Sequence, residues 1–113
     1  MAQYSRTLDS AFGALSDPTR RGILERLGKT DAAISDLADE FDMTLTGIKK
    51  HVAILEEAGL VATEKVGRVR HCRLGPRRLD DEAEWIADYR RMLGGRLNRL
   101  EAFLEATKGR ERK

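Results

Sequence analysis

The chain has 113 residues and a formal net charge of +2, with 41% hydrophobic residues, 35% charged residues and two prolines, which is enough for one core and no second. That balance excludes a disordered tail, a collagen-like or low-complexity chain and a membrane-spanning protein, because no run approaches the roughly 18 apolar residues that a spanning helix requires. The polar opening MAQYSRTLDSAFGAL does not read as a secretory signal, and the lone Cys72 points to a reducing, cytoplasmic setting.

Net charge this small says nothing of partners, but its distribution does. Residues 44 to 78 hold eight Lys or Arg against Glu56, Glu57 and Glu64, a net of +5 that leaves −3 for the other 78 residues. A basic third on a nearly neutral chain is the electrostatic footprint of phosphate binding.

In chain order, the first expected helix runs from about Ser5 to Leu15, with Leu8, Ala11, Phe12 and Leu15 on one face. Ser16-Asp17-Pro18 then ends it and starts a second helix, Asp17 capping and Pro18 at the first position, where a missing N–H costs nothing. That helix carries Ile23, Leu24 and Leu27 and stops near Gly28. After the polar loop 29–31, Ser35 is expected to cap a short helix with Leu37, Ala38 and Phe41 inward. A tight Asp42-Met43 connection leads to Thr44, which caps a fourth helix with Ile48, Val52 and Leu55 on its inner stripe and Gly59 as a left-handed stop.

From Leu60 the period changes. LVATEKVGRVRHCRL places β-branched residues either side of Gly67, the pattern of two short strands and a hairpin. Helical spacing resumes at Asp80 and runs to about Ala106, with Ile86, Tyr89, Leu93, Leu97, Leu100 and Leu104 on one seam, before a tail (GRERK) expected to fray. The expected fold is mainly α with a β-hairpin wing: a winged helix-turn-helix of four helices, a two-stranded wing and a long C-terminal helix. It is expected to form a single domain over residues 1–108, with the helix-turn-helix at 35–58, the wing at 60–74 and the last helix at 80–106.

The chemistry follows from this geometry. The fourth helix, with its stripe inward, turns Thr46, Lys49, Lys50 and Ala53 outward, toward a double-stranded DNA major groove wide enough for one helix. Thr44 and Thr46 offer hydroxyls and free amides to phosphate, and Lys49 and Lys50 supply charge for phosphate or a guanine edge. Gly47 allows either close backbone approach to DNA or simple tolerance in a first turn. The wing carries Lys65, Arg68, Arg70 and Arg73 about Gly67, a shape for the adjacent minor groove or its phosphates. The last helix, of roughly 25 residues and about 37 Å, is longer than so small a domain can cover. Its seam, together with Leu8 and Phe12 of the first helix, is expected to form a homodimer interface that sets two reading helices about one DNA turn apart.

DPTRRGILERL, ISDLADEFDMTLTGIKKHVAILEEAGLV and GRVRHCRL, followed by a long helix with Trp85 and Tyr89, resemble the ArsR-type (ArsR/SmtB) bacterial transcriptional regulators over nearly the whole chain. The resemblance implies a homodimer joined through first and last helices, repressing its own operon from a palindromic operator until an inducer binds. It also suggests the subgroup often encoded beside a START-like (SRPBCC) protein. The sequence departs from the metal-sensing members. The helix that carries Cys-x-Cys in arsenic, cadmium and lead sensors reads Ser35-Asp36-Leu37-Ala38-Asp39, and no histidine follows Asp80 for the zinc and nickel type. No metal or other cofactor is expected, and neither the existence nor the identity of a small-molecule inducer can be read from the sequence.

His51 shares the inward stripe, as a packing or hydrogen-bonding histidine, while the resemblance keeps a phosphate contact open for it. Cys72 reads as a half-buried strand position alternating with Leu74, and His71 as solvent-facing or beside phosphate. Trp85 and Tyr89 suit a dimer core or a small-ligand pocket wall. No Gly-rich phosphate loop and no nucleophile with a spaced His and acid is present, so an enzyme is not expected. The rival reading is a winged-helix module that docks a protein partner, without operator binding.

Overall fold

The computed structural model describes residues 2–111, with side chains from Leu8 to Thr107; Met1 and the last two residues of the tail lie outside the described part. The elements are α1 (Ala2–Leu15), α2 (Pro18–Leu27), β1 (Ala32–Ala33), α3 (Ile34–Glu40), α4 (Leu45–Glu57), β2 (Val61–Val66), β3 (Val69–Leu74) and α5 (Asp80–Glu111). The chain divides into two compact units, one ending at Leu79 and one beginning at Asp80.

In the first unit, polar punctuation sets the helix ends. Asp17 is extended at φ −105°, ψ 131°, and its carboxylate accepts from the Arg20 amide at 3.1 Å, with Pro18 next in line. Thr44 does the same for α4, its Oγ1 accepting from the Gly47 amide at 3.1 Å. Two positions need left-handed backbone and have glycine there: Gly59 (φ +78°) beyond α4 and Gly67 (φ +65°) in the hairpin turn. Asp42 adopts φ 50° between α3 and α4, a conformation that Asp tolerates better than most residues.

Ser35 is not the cap of α3. The N-cap is Ala33, extended and without a side-chain bond, and Ser35 lies exposed in the first turn. The reason is β1, a strand the sequence reading did not contain: Ala32 pairs with Cys72 and Ala33 with His71, so strand pairing fixes the entry to α3. The wing hairpin therefore belongs to a three-stranded antiparallel sheet in the order β1-β3-β2. At the other end of the chain, α5 continues to Glu111, beyond the expected stop near Ala106, and takes in Gly109, Arg110 and Glu111 of the tail.

The core of the first unit joins α2, α3, α4 and the sheet. Ile23, Leu37, Ile48, Leu55 and Cys72 are its largest fully buried side chains, with Val52 beside them and Phe41 and Met43 at its margin. Cys72 is thus a core residue and not half-buried, while Leu74, two positions along the same strand face, is exposed. Cys72 faces the core because its partner on β2 is Thr63, close to the buried start of that strand at Val61. Burying these branched side chains stabilises the unit by about 1.5–3 kcal/mol each in transfer terms.

The second unit is α5, 32 residues long. Ile86, Tyr89, Leu93, Leu97, Leu100 and Leu104 are each exposed in the single chain, as are Trp85, Met92 and Phe103. The Trp85 and Tyr89 rings stack, 5.7 Å between centroids and 10° between planes.

Candidate nucleic-acid interface

Helix α4 turns Ile48, Val52 and Leu55 into the core. At 100° per residue this sends Thr46, Lys49, Lys50 and Ala53 outward, and all four are exposed. Thr44 is exposed as well; its oxygen is engaged by the cap, which leaves the hydroxyl proton to donate. Gly47 is half-buried, and a Cβ there would stand 3.1 Å from Met43 Cε and 3.2 Å from Thr44 Oγ1. Its smallness makes room for the cap itself.

The wing reaches this helix. Lys49 of α4, Lys65 of β2, Arg68 of the turn and Arg70 of β3 line one open cleft of about 310 Å³ with Ile34 and Leu45. Register explains the selection. Arg70 pairs with Lys65 and both share one sheet face, whereas Arg73, three residues on, pairs with Ala62 and takes the other face. There it lies 3.8 Å from Glu64. Of the four wing cations read from the sequence, three therefore line this cleft beside α4 and Arg73 does not. His71 is exposed on that same far face, opposite Glu64. Arg77, counted in the basic third, donates to the Ala58 carbonyl at 3.0 Å and so closes the C-terminus of α4.

His51 is half-buried, and its Nδ1 lies 3.2 Å from Arg20 Nη1 and 3.9 Å from Asp17 Oδ2. The two contacts make opposite demands. An arginine has only donors, so the first requires a lone pair on Nδ1, while an ion pair with Asp17 requires a proton there. The shorter contact decides: Nδ1 accepts, and the proton sits on Nε2. Arg20 also donates through Nε to the Ala14 carbonyl at 2.8 Å and through Nη2 to Gly13 at 3.0 Å. One guanidinium thus joins the end of α1 and the start of α2 to the middle of α4. Sequence reasoning missed this residue, because Arg20 is 31 positions from His51 and no local pattern announces the pair. The Arg20 amide, with the nearby Arg20 charge, holds the Asp17 carboxyl below the usual carboxylate range against a smaller opposing effect of burial.

A second bridge was also missed. Thr63 Oγ1 donates to Glu56 Oε2 at 2.7 Å and accepts from Arg70 Nη1 at 2.9 Å. Burial pushes the Cys72 thiol up, Glu56 adding to that and Arg70 opposing it; a thiol kept protonated is a poor metal ligand and nucleophile. Among the described residues, no three His, Cys, Asp or Glu side chains form a group able to hold a metal ion, and no helix is long and apolar enough to cross a membrane.

Of the residues expected at a dimer contact, Leu8 is already buried within the chain and Phe12 is half-buried. The α5 members are about half exposed, from 45% at Ile86 to 56% at Leu97.

Comparison with known proteins places this geometry among regulators. Residues 15–64 match the model of a helix-turn-helix domain family. The chain is 30% identical over 82 residues to the transcriptional repressor SdpR of Bacillus subtilis, an alignment covering 73% of this chain and 91% of that relative. A crystal structure of an ArsR family transcriptional regulator superimposes with a TM-score of 0.74 at 40% identity, covering 83% of this chain and 97% of that one. An ArsR-like transcriptional regulator from Rhodococcus sp. RHA1 gives a TM-score of 0.78 at 32% identity, covering 94% and 97%.

Proposed function

We propose, from the premise that the chain belongs to the ArsR family of DNA-binding transcriptional regulators, that it works as a homodimeric repressor seated on a near-palindromic operator of its own promoter. The observation that carries this reading is the convergence of Lys49, Lys65, Arg68 and Arg70 on one cleft beside the outward face of α4. In the reading, α4 enters the major groove with Thr46, Lys49 and Lys50 leading. Thr44, the Gly47 turn and the Nε2–H of His51 meet phosphate, and Lys65, Arg68 and Arg70 hold the flanking groove.

The dimer rests on α5. A row of exposed Ile, Tyr and Leu at steps of three and four is costly to leave in water, and a second copy supplies the matching row with two-fold symmetry. Phe12, half-buried, joins this contact in the reading, whereas Leu8 is already buried within the chain. The buried, protonated Cys72 and the cysteine-free α3 support a trigger other than a thiolate-bound metal. Release from DNA then falls to a small-molecule inducer, and no catalytic role is assigned. Gene order would test the START-like neighbour that the resemblance suggests.

The test is a titration of a fluorescent duplex from the protein's own promoter, with sedimentation of the free protein. The reading expects a dimer at tens of micromolar and tight, salt-sensitive binding. A monomer at that concentration removes the operator geometry. Absence of binding at low salt leaves a module that docks protein.

A further inference from the structure

We infer that Thr63 is a positioning residue for DNA binding: its hydroxyl, held between Glu56 and Arg70, fixes the wing arginine to the reading helix. This rests on the function proposed above and adds residues that reading does not use. The three side chains come from three elements, Glu56 from the last turn of α4, Thr63 from β2 and Arg70 from β3. Thr63 Oγ1 stands 2.7 Å from the Glu56 carboxylate and 2.9 Å from Arg70 Nη1. A hydroxyl has one proton and two lone pairs. With an Arg70 N–H on one lone pair, the proton goes to Glu56, so each contact orients the other.

The pairing register makes the relay possible. Thr63 faces Cys72 and Lys65 faces Arg70 across the hairpin, which puts Thr63, Lys65 and Arg70 on one sheet face, the one beside α4. An unrestrained arginine is a long, flexible side chain, and ordering it on DNA costs rotamer freedom. Here one of its five donors is committed to Thr63, which limits that freedom before DNA arrives, while Arg70 still lines the cleft with Lys49, Lys65 and Arg68. The relay also gives Glu56 a task. Judged by charge alone, a carboxylate beside a phosphate-binding cleft weakens binding; as the anchor of the relay, it strengthens it. The two views predict effects of opposite sign.

The experiment is a double-mutant cycle on the full chain, with affinities for the promoter duplex and melting temperatures measured for each variant. Thr63→Val removes the hydroxyl with little change of shape and is expected to weaken binding about tenfold, the size of one directed contact; Thr63→Ser is expected to stay within about twofold of the wild type. Glu56→Ala is expected to weaken binding despite removing a negative charge, and Glu56→Gln, which can still accept from Thr63, to lose less. In an Arg70→Ala background, Thr63→Val is expected to have no further effect. Wild-type affinity in Thr63→Val, tightening in Glu56→Ala or additive losses in the cycle would each overturn the assignment. If Thr63→Val fails to fold, the Thr63→Ser and Glu56 variants decide. Failure of the wild type itself to bind the duplex sinks the proposed function, and shows separately from any of these.

Discussion

His51 on α4 and Arg20 on α2 are joined by a 3.2 Å contact in which the imidazole Nδ1 accepts. The same guanidinium holds carbonyls at the end of α1, so the angle at which α4 is presented depends on a residue of α2. That arrangement leaves the Nε2–H of His51 as its donor, suited to a phosphate oxygen without needing a positive charge on the ring.

Arg20→Met is expected to destabilise the protein by about 2–3 kcal/mol in urea unfolding, since three hydrogen bonds worth about 1 kcal/mol net each are lost. Arg20→Lys is expected to recover little, because a single ammonium cannot span the forked set of acceptors. Equal stability of Arg20→Lys and wild type would show that the fork is dispensable.

Asp17 makes stability depend on acid. Its folded-state pKa is lowered, so its contribution is fully present above the ordinary carboxylate value of about 3.9 and is lost as pH falls through the lower folded value. In Asp17→Ala the difference in unfolding free energy from wild type is expected to be largest near neutrality and to shrink below about pH 4. A difference that grows on acidification would reverse the sign of this argument.

Two glycines are expected to respond differently to alanine. A Cβ on Gly75 would lie 2.3 Å from the Gly59 carbonyl oxygen, in the same close approach where the Gly75 amide bonds the Leu60 carbonyl. Backbone must move, and Gly75→Ala is expected to cost about 3 kcal/mol. Gly67 meets nothing within 4 Å but has φ +65°, so Gly67→Ala pays only for the left-handed backbone, about 1–2 kcal/mol. Urea unfolding of the pair checks the order.

The α5 seam is open to a direct test. Leu97→Glu places a charge in the middle of the exposed row and is expected to give a monomer in sedimentation, with loss of cooperative operator binding. A dimer of unchanged strength would move the interface elsewhere.

Much of the fold was legible because its signals are local. Asp17-Pro18, Thr44, Gly59 and Gly67 each announce a helix start, a helix stop or a turn through their own backbone chemistry, and the inward stripe of α4 follows from residue spacing alone. The rest depended on pairing between distant segments. Ala32-Ala33 is too short to show a period, and alanine is a poor strand former, so only β3 reveals it as a strand and displaces Ser35 from its expected capping role. At the candidate site, outward α4 residues were readable, but the separation of Arg73 from Arg68 and Arg70 needed the hairpin register. Arg20 and Thr63 act through partners 31 and seven positions away. No spacing rule in one sequence marks an arginine or threonine as such a bridge.

The central claim is that reading helix and wing present their cations to one stretch of DNA, and the salt dependence of promoter binding tests it most directly. Each phosphate neutralised contributes about −0.9 to the slope of log K against log salt. Lys49→Ala on the helix and Arg68→Ala on the wing are each expected to make the slope shallower by about that amount, and the double variant by about twice it. Slopes unchanged from wild type in both single variants would mean that these side chains do not meet the phosphate backbone together, and the account would fall.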